Sequence, residues 1–393
     1  MMRILTFLTL LYFGCTTSTP MTPVNNNDQD PGSSYYVERF GARGDGRADD
    51  TRAFEQAIEA AVKRRIENEF TKGGWGATQA TEIRLRGDRT YRITRPIRIP
   101  GNKNITLRSD AMGGATIVHE GKEDFAFIFE AKSINAAVLI DGINFRNAGI
   151  QLIGPLRGRV VLQNNQFLHT RGPGVSLIDR GNIPGERPGL GVVHWILWNN
   201  EFNYCDQGVS IDSESILLGT IQMNRFRFGV REAILIDGTG VVIDNNEFQS
   251  IEKTENPFIR LRPQSNFVSQ IRITNNRFGS EAATMEGKSW AAPRSYLLIE
   301  DGPNYVSNID VISNMFFTNR KDIDQPNSAE EAITINKRVA DLRVEHNDFR
   351  HFKNAVVNNS VDVRDGMFRD NKTARESVIF KREAKKSGFN KQD

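Results

Sequence analysis

Apolar positions alternate along most of the chain in short runs of about four residues, each closed by an Asn and a Phe. Val160-Val161-Leu162, Val241-Val242-Ile243, Ile271-Arg272-Ile273 and Ile309-Asp310-Val311-Ile312 lead into Asn165-Gln166-Phe167, Asn246-Glu247-Phe248, Asn276-Arg277-Phe278 and Asn314-Met315-Phe316. The same ladder holds Asn144-Phe145, Asn200-Glu201-Phe202, Asn224-Arg225-Phe226 and Asn347-Asp348-Phe349, and weakens to Met367-Phe368. Phe145 to Phe167 and Phe226 to Phe248 are both 22 residues apart, and other copies carry insertions. A unit that small, repeated this often, predicts a solenoid. After each Phe comes a polar turn and a second short strand, as in Gly208-Val209-Ser210-Ile211, Ala233-Ile234-Leu235-Ile236 and Tyr296-Leu297-Leu298-Ile299. Period-two alternation sends one set of side chains inward and the other outward. Such strands are too short to stand singly, so the pattern predicts stacked coils about 4.8 Å apart, forming long parallel sheets. The ladder Asn suits a tight bend, because it tolerates the left-handed region and can hydrogen-bond its copy in the next coil. Propeller blades repeat at about 40 residues or more, and a sandwich would carry hairpin dipeptides, which the ladder lacks.

Before the ladder stands Phe40-Gly41-Ala42-Arg43-Gly44-Asp45-Gly46-Arg47-Ala48-Asp49-Asp50-Thr51-Arg52-Ala53-Phe54. Its glycines permit a close-turning loop. Asp49 or Asp50 can cap a helix whose face carries Phe54, Ala57, Ile58, Ala61, Val62 and Ile66. Such a helix can cover the first coil, and the Gly/Asp cluster lacks the Gly-Lys-Ser/Thr of a phosphate loop. The segment resembles the FGAxGDGxxDDTxAF signature of the pectate-lyase superfamily, which includes rhamnogalacturonase- and polygalacturonase-like proteins and many phage tailspikes. The resemblance spans roughly Tyr36 to Phe380. It implies an all-β, right-handed parallel β-helix of about ten coils with an N-terminal capping α-helix, and business with polysaccharide.

Of the 393 residues, 38% are hydrophobic and 25% charged, enough for a packed core. A formal charge of +3 with no Lys/Arg cluster among aromatics argues against a nucleic-acid partner. Arg3 followed by the apolar run Ile4 to Gly14 is too short for a membrane span but fits a signal-peptide core. Gly14-Cys15 resembles a bacterial lipobox, so residues 1–15 read as a leader with Cys15 as the lipidated residue, although Tyr12 and Phe13 depart from the usual pattern. Residues 16–34 read as a flexible tether, 35–380 as one domain and 381–393 as a solvated basic tail. The expected location is outside the cytoplasm, in the cell envelope or secreted, with membrane contact only through the lipid. Cys205 then has no partner and reads as a small core filler.

Polygalacturonases carry Asn-Thr-Asp, Asp-Asp and Gly-His-Gly sets near the second strand. Here the matching places read Asp206-Gln207-Gly208, Arg231-Glu232-Ala233, Glu255-Asn256-Pro257 and Glu330-Glu331-Ala332, so that constellation is absent. Alignment of the strands on Ile211, Ile236, Leu261, Ile299 and Ile335 instead sets Asp212, Asp237, Arg262, Glu300 and Asn336 in one outward column. Asp206, Asp212, Glu232 and Asp237 are the candidate catalytic acids for glycoside hydrolysis, which needs two carboxylates at defined separation. Arg231, Arg260, Arg262 and Glu300 are the candidate substrate-binding residues. In β-elimination of a uronate the arginines would neutralise the substrate carboxylate, with calcium on acidic neighbours the one cofactor considered. An outward salt-bridge ladder with Arg262 between Asp237 and Glu300 is the structural alternative. Trp195 and Trp198 are candidates for stacking on sugar rings, one of them as core. No histidine spacing suggests a metal site. The leading expectation is a hydrolase or lyase on an acidic polysaccharide, and the alternative is a non-catalytic surface module that binds glycan or a partner.

Overall fold

The computed structural model describes residues 34–63, 81–100, 104–111, 113–130, 137–154, 156, 159–179, 191–213, 219–249, 256–279, 293–318, 331–352, 354–360, 367–373 and 381–382. The leader, Cys15, Glu255, Glu330, the insertions after Asp179 and Glu281, and nearly all of the basic tail lie outside these residues. The described residues from Ser34 onward form a right-handed parallel β-helix, as the repeat predicts. Each full coil gives one strand to each of three sheets, which hold twelve, twelve and eleven strands. Pairing is parallel, residue against equivalent residue, as in Leu162 with Leu197 and Phe167 with Phe202.

Twelve strands in two sheets exceed the ten coils expected from the ladder. The second sheet explains why: Phe145 is in register with Ile117, and Ile117 with Tyr91. The earliest coils fill the same inward position with other side chains, so a search for Asn-x-Phe passes over them. At the other end Lys381–Arg382 pairs with Val357 and Asn358, extending the third sheet two residues into the segment expected to be tail.

Two buried ladders hold the coils in register. Phe145, Phe167, Phe202, Phe226, Phe248, Phe278, Phe316 and Phe349 stack at centroid distances of 4.6–5.2 Å. That spacing is the inter-strand distance itself, so ring stacking and backbone pairing reinforce each other. Beside them Asn165, Asn200, Asn224, Asn246, Asn276, Asn314 and Asn347 are buried. The Oδ1 of Asn246 accepts from both the backbone N–H (2.9 Å) and the Nδ2 (3.0 Å) of Asn224. Asn246 in turn donates to Asn276 in the same way, and its Nδ2 also donates to the Ile221 carbonyl at 2.9 Å. The sequence assigns both the bend and the hydrogen bonding to one Asn; the structure divides them. The left-handed residue is the one before, such as Asn164, Asn199, Asn245 or Asn275 (φ 52–56°), while the ladder Asn does the bonding.

The helix Thr51–Lys63 buries Phe54, Ala57, Ile58 and Ala61, and Phe54 meets Tyr91 and Phe127 edge-on at 5.6 and 5.8 Å. Asp49 caps it, accepting from Thr51 N at 3.0 Å, while Asp50 turns back to accept from the backbone of Arg43 and Gly44. Gly44 has φ +60°, and a Cβ there would sit 2.9 Å from Arg89 Cβ, so the tight loop requires glycine. The Gly/Asp signature therefore builds an end cap.

His119 is fully buried, and neither ring nitrogen has a hydrogen-bond partner. Burial holds its imidazole below the usual histidine range, against the opposing pull of Glu123 at 3.8 Å and helped by the Arg171 charge. A folded-state pKa below the unfolded one gives stability present above about pH 6.5 and lost as pH falls through that value. Urea midpoints of the wild-type protein should therefore drop between about pH 7 and pH 5. His119→Leu should shrink that drop, and an identical pH profile in the variant would assign the loss to other groups.

Candidate functional site

The third sheet carries all eight candidate residues on or beside its strands Gln207–Ser213, Glu232–Gly238 and Ile259–Leu261 and at the end of Ser295–Ile299. Ile211, Ile236, Leu261 and Ile299 point into the core, and Asp212 pairs with Asp237 in register, as the alignment on those residues expects. Backbone bonds from Arg262 N to Ile236 O and from Glu300 N to Leu261 O continue that register. What the alignment does not give is how the side chains divide. Seven of them form three separate groups, and Arg262 joins none.

The first group crosses four consecutive coils. Glu232, 8% exposed, accepts at Oε1 from Arg260 Nε and at Oε2 from Gln207 Nε2, both at 2.5 Å. Arg260 then donates to Glu300 at 3.1 Å and to Asn256 at 3.0 Å. Burial alone would favour a neutral guanidinium, but hydrogen bonds and charge from Glu232 and Glu300 outweigh it and hold Arg260 above its ordinary pKa. The bridging cation of this face is thus Arg260. Arg262 stands in neither an ion pair nor a side-chain hydrogen bond among the described residues, and its Nε is buried without a partner.

The second group is exposed: Arg231 donates to Asp206 at 2.9 Å, with 68% and 48% of the side chains open to solvent. The third is an anchor. Asp237 is fully buried, and its two oxygens accept from the backbone N–H groups of Ser265 and Asn266 at 2.8 Å. Asn266 Nδ2 donates to the Asp237 carbonyl at 2.8 Å and to Asp212 Oδ1 at 3.1 Å. Both acids thus fasten the turn that leaves the third sheet after Arg262. Asp237→Asn places an amide N–H against a backbone donor and should cost about 1–3 kcal/mol. Arg231→Ala, at an exposed pair, should cost about 0–1 kcal/mol. Thermal melts of the two variants check this, and equal melting temperatures would contradict the anchor role.

Gln207 and Asn256 complete the Arg260 network yet carry no sequence signal, since neutral amides on a strand look like any solvated position. Among the described residues no three His, Cys, Asp or Glu side chains converge as a metal site would require. Cys205 is buried, and burial pushes its thiol up to about 11, as befits core. Trp195 is fully buried, whereas Trp198 on the first sheet points outward, 36% exposed. Trp198 lines a trough of about 610 Å³ with Leu139, Val161 and Ile196.

No family model and no curated protein sequence matches the chain. Solved structures do. The Streptococcus pneumoniae surface protein and adhesin PfbA superposes with a TM-score of 0.59 at 13% identity, covering 89% of this chain and 99% of its own. The chain has the pectin-lyase-like fold. The tailspike protein of Acinetobacter baumannii phage AM24 shares this β-helix at TM-score 0.55 and 14% identity, over 87% of this chain and 54% of that one. The N-terminal fragment of bacteriophage Phi29 gene product 12 does so at TM-score 0.51 and 14% identity, over 86% and 65%.

Proposed function

We propose that this chain is an exported β-helix that binds an acidic polysaccharide without cleaving it. One observation carries the reading: the two buried candidate acids, Glu232 and Asp237, each accept two hydrogen bonds from donors set in the stack, and Asp206 and Asp212 each accept one. Asp206 takes Arg231, Asp212 takes Asn266, Glu232 takes Arg260 and Gln207, and Asp237 takes two backbone amides. Hydrolysis needs a carboxyl group that can hand over its proton and a second free to attack or activate water. Carboxylates engaged in this way stabilise the stack instead. Elimination with calcium would need an acidic cluster that the described residues lack. Arg262, without an ion pair among the described residues, suits a uronate carboxylate. That a β-helix neighbour is a surface adhesin supports a binding role for this architecture. Export rests on the sequence of residues 1–15. Cys15→Ser should accordingly move the protein from the membrane fraction to the soluble one.

Electrophoresis through gels containing polygalacturonate or alginate tests the binding. The protein should be retarded in both, less so at high salt, and should run freely through dextran. Equal mobility in every gel would overturn the proposal.

A further inference from the structure

The most exposed of the large apolar side chains among the described residues are Phe267, 60% open, and Tyr305, 54% open. Both lie in turns between the third and first sheets, and they occupy the same place in consecutive coils. Val268, Val306 and Val339 are register partners, so the residues just before them, Phe267, Tyr305 and Arg338, form one column at about 4.8 Å per step. Among the described residues neither ring packs against another aromatic ring, so their faces are not used up there by stacking as those of the core ladder are. Arg338 is exposed and has no ion pair or hydrogen bond among the described residues.

The turns that present this column are fastened from below and from the side. Asp237 and Asp212 hold Asn266, the residue next to Phe267. Asn304, next to Tyr305, donates from its backbone to Pro263 O at 3.1 Å and from Nδ2 to Gln264 O at 2.8 Å. Lys337, next to Arg338, donates to the Gly302 carbonyl and lies 3.6 Å from Asp301. The first two turns are packed so closely that a Cβ on Gly302 would fall 2.5 Å from Pro263 O. The backbone that carries two exposed rings and a cation is thus fastened, which lowers the ordering cost of binding.

We propose that Phe267, Tyr305 and Arg338 form the seat of the polysaccharide, with sugar rings against the two aromatics and a uronate carboxylate on Arg338. The inference rests on the polysaccharide-binding reading above and says where on the molecule the polymer lies. The surroundings fit a hydroxylated chain better than a protein partner. Gln264, Ser265, Asp301 and Asn336 around the column are exposed and polar, whereas a stable protein interface buries about 800 Å² per partner around an apolar centre. The site also gives the buried Asp237 a purpose beyond stability, as a positioning residue for Phe267.

Dissociation constants for polygalacturonate and for its methyl-esterified form, measured with the wild-type protein, Phe267→Ala/Tyr305→Ala and Arg338→Ala, test the proposal. The double variant should bind both polymers at least about tenfold more weakly, because ring stacking does not depend on the charge. Arg338→Ala should lose affinity only for the charged polymer and flatten its salt dependence. Melting temperatures should stay at the wild-type value, since all three side chains are exposed. A double variant that binds like the wild type would overturn the seat and leave the binding reading intact. A wild-type protein that binds neither polymer would overturn both. A wild-type dimer that the double variant converts to monomer, with polymer binding unchanged, would identify the column as a self-association surface and overturn the proposal.

Discussion

Asn246→Ala should destabilise the protein by about 3–5 kcal/mol, although it removes only a small amide. The loss leaves the buried backbone N–H of Asn224 without its acceptor, at about 1–3 kcal/mol, and removes two further bonds at about 0.5–1.5 kcal/mol each, from Asn224 Nδ2, which keeps the Leu197 and Gln222 carbonyls, and to the Ile221 carbonyl. Alanine also interrupts a hydrogen-bonded row running from Asn165 to Asn371, in which each amide polarises the next. Asn245→Gly is the matched control one residue away. Asn245 is exposed with φ 54°, a conformation that glycine adopts freely, so that change should be neutral or slightly stabilising. Urea unfolding followed by circular dichroism separates the two, and similar midpoints would show that the row does not hold the coils together.

Arg260→Ala is the second large effect, at about 2–4 kcal/mol. It leaves Glu232 buried and charged beside Gln207 alone, and removes the counter-charge of Glu300. A broken, fully buried pair costs about 3–5 kcal/mol, and the partial access of water to Glu300 lowers the figure here. Glu232→Gln in the Arg260→Ala background should recover part of the loss by removing the orphaned charge. Additive losses in the double variant would mean that the two side chains do not support each other.

The backbone path was legible because solenoid coils repeat their inward positions. Every Ile, Val and Phe assigned to the core from alternation at Ile211, Ile236, Leu261 and Phe248 is buried. The first coils were less legible, because Tyr91 and Ile117 fill the ladder position without the Asn that marks it. Outward positions were legible as a column but not as contacts. Strand alignment puts Arg262 beside Asp237 and Glu300, yet a long side chain reaches across coils: Arg260 takes Glu300 together with Glu232, and Asp237 is held by backbone N–H groups. Alternation also marks Asp237 as outward without showing that the turn of the next coil, at Ser265 and Asn266, closes on it. The Phe267 and Tyr305 column was hidden for a related reason. Its residues sit in turns of different composition, and only the register of Val268, Val306 and Val339 brings them into line.

Binding without cleavage is the claim on which the functional account stands. Its most direct test is the chain length of polygalacturonate and alginate recovered after prolonged incubation with concentrated protein, with reducing ends and unsaturated uronates assayed in the same samples. The engaged carboxylates of the third sheet predict polymer of unchanged length, no new ends of either kind, and protein still bound to it. Shortened polymer with new reducing ends, or with the absorbance of unsaturated uronates, would contradict the account and show that these acids work on the substrate.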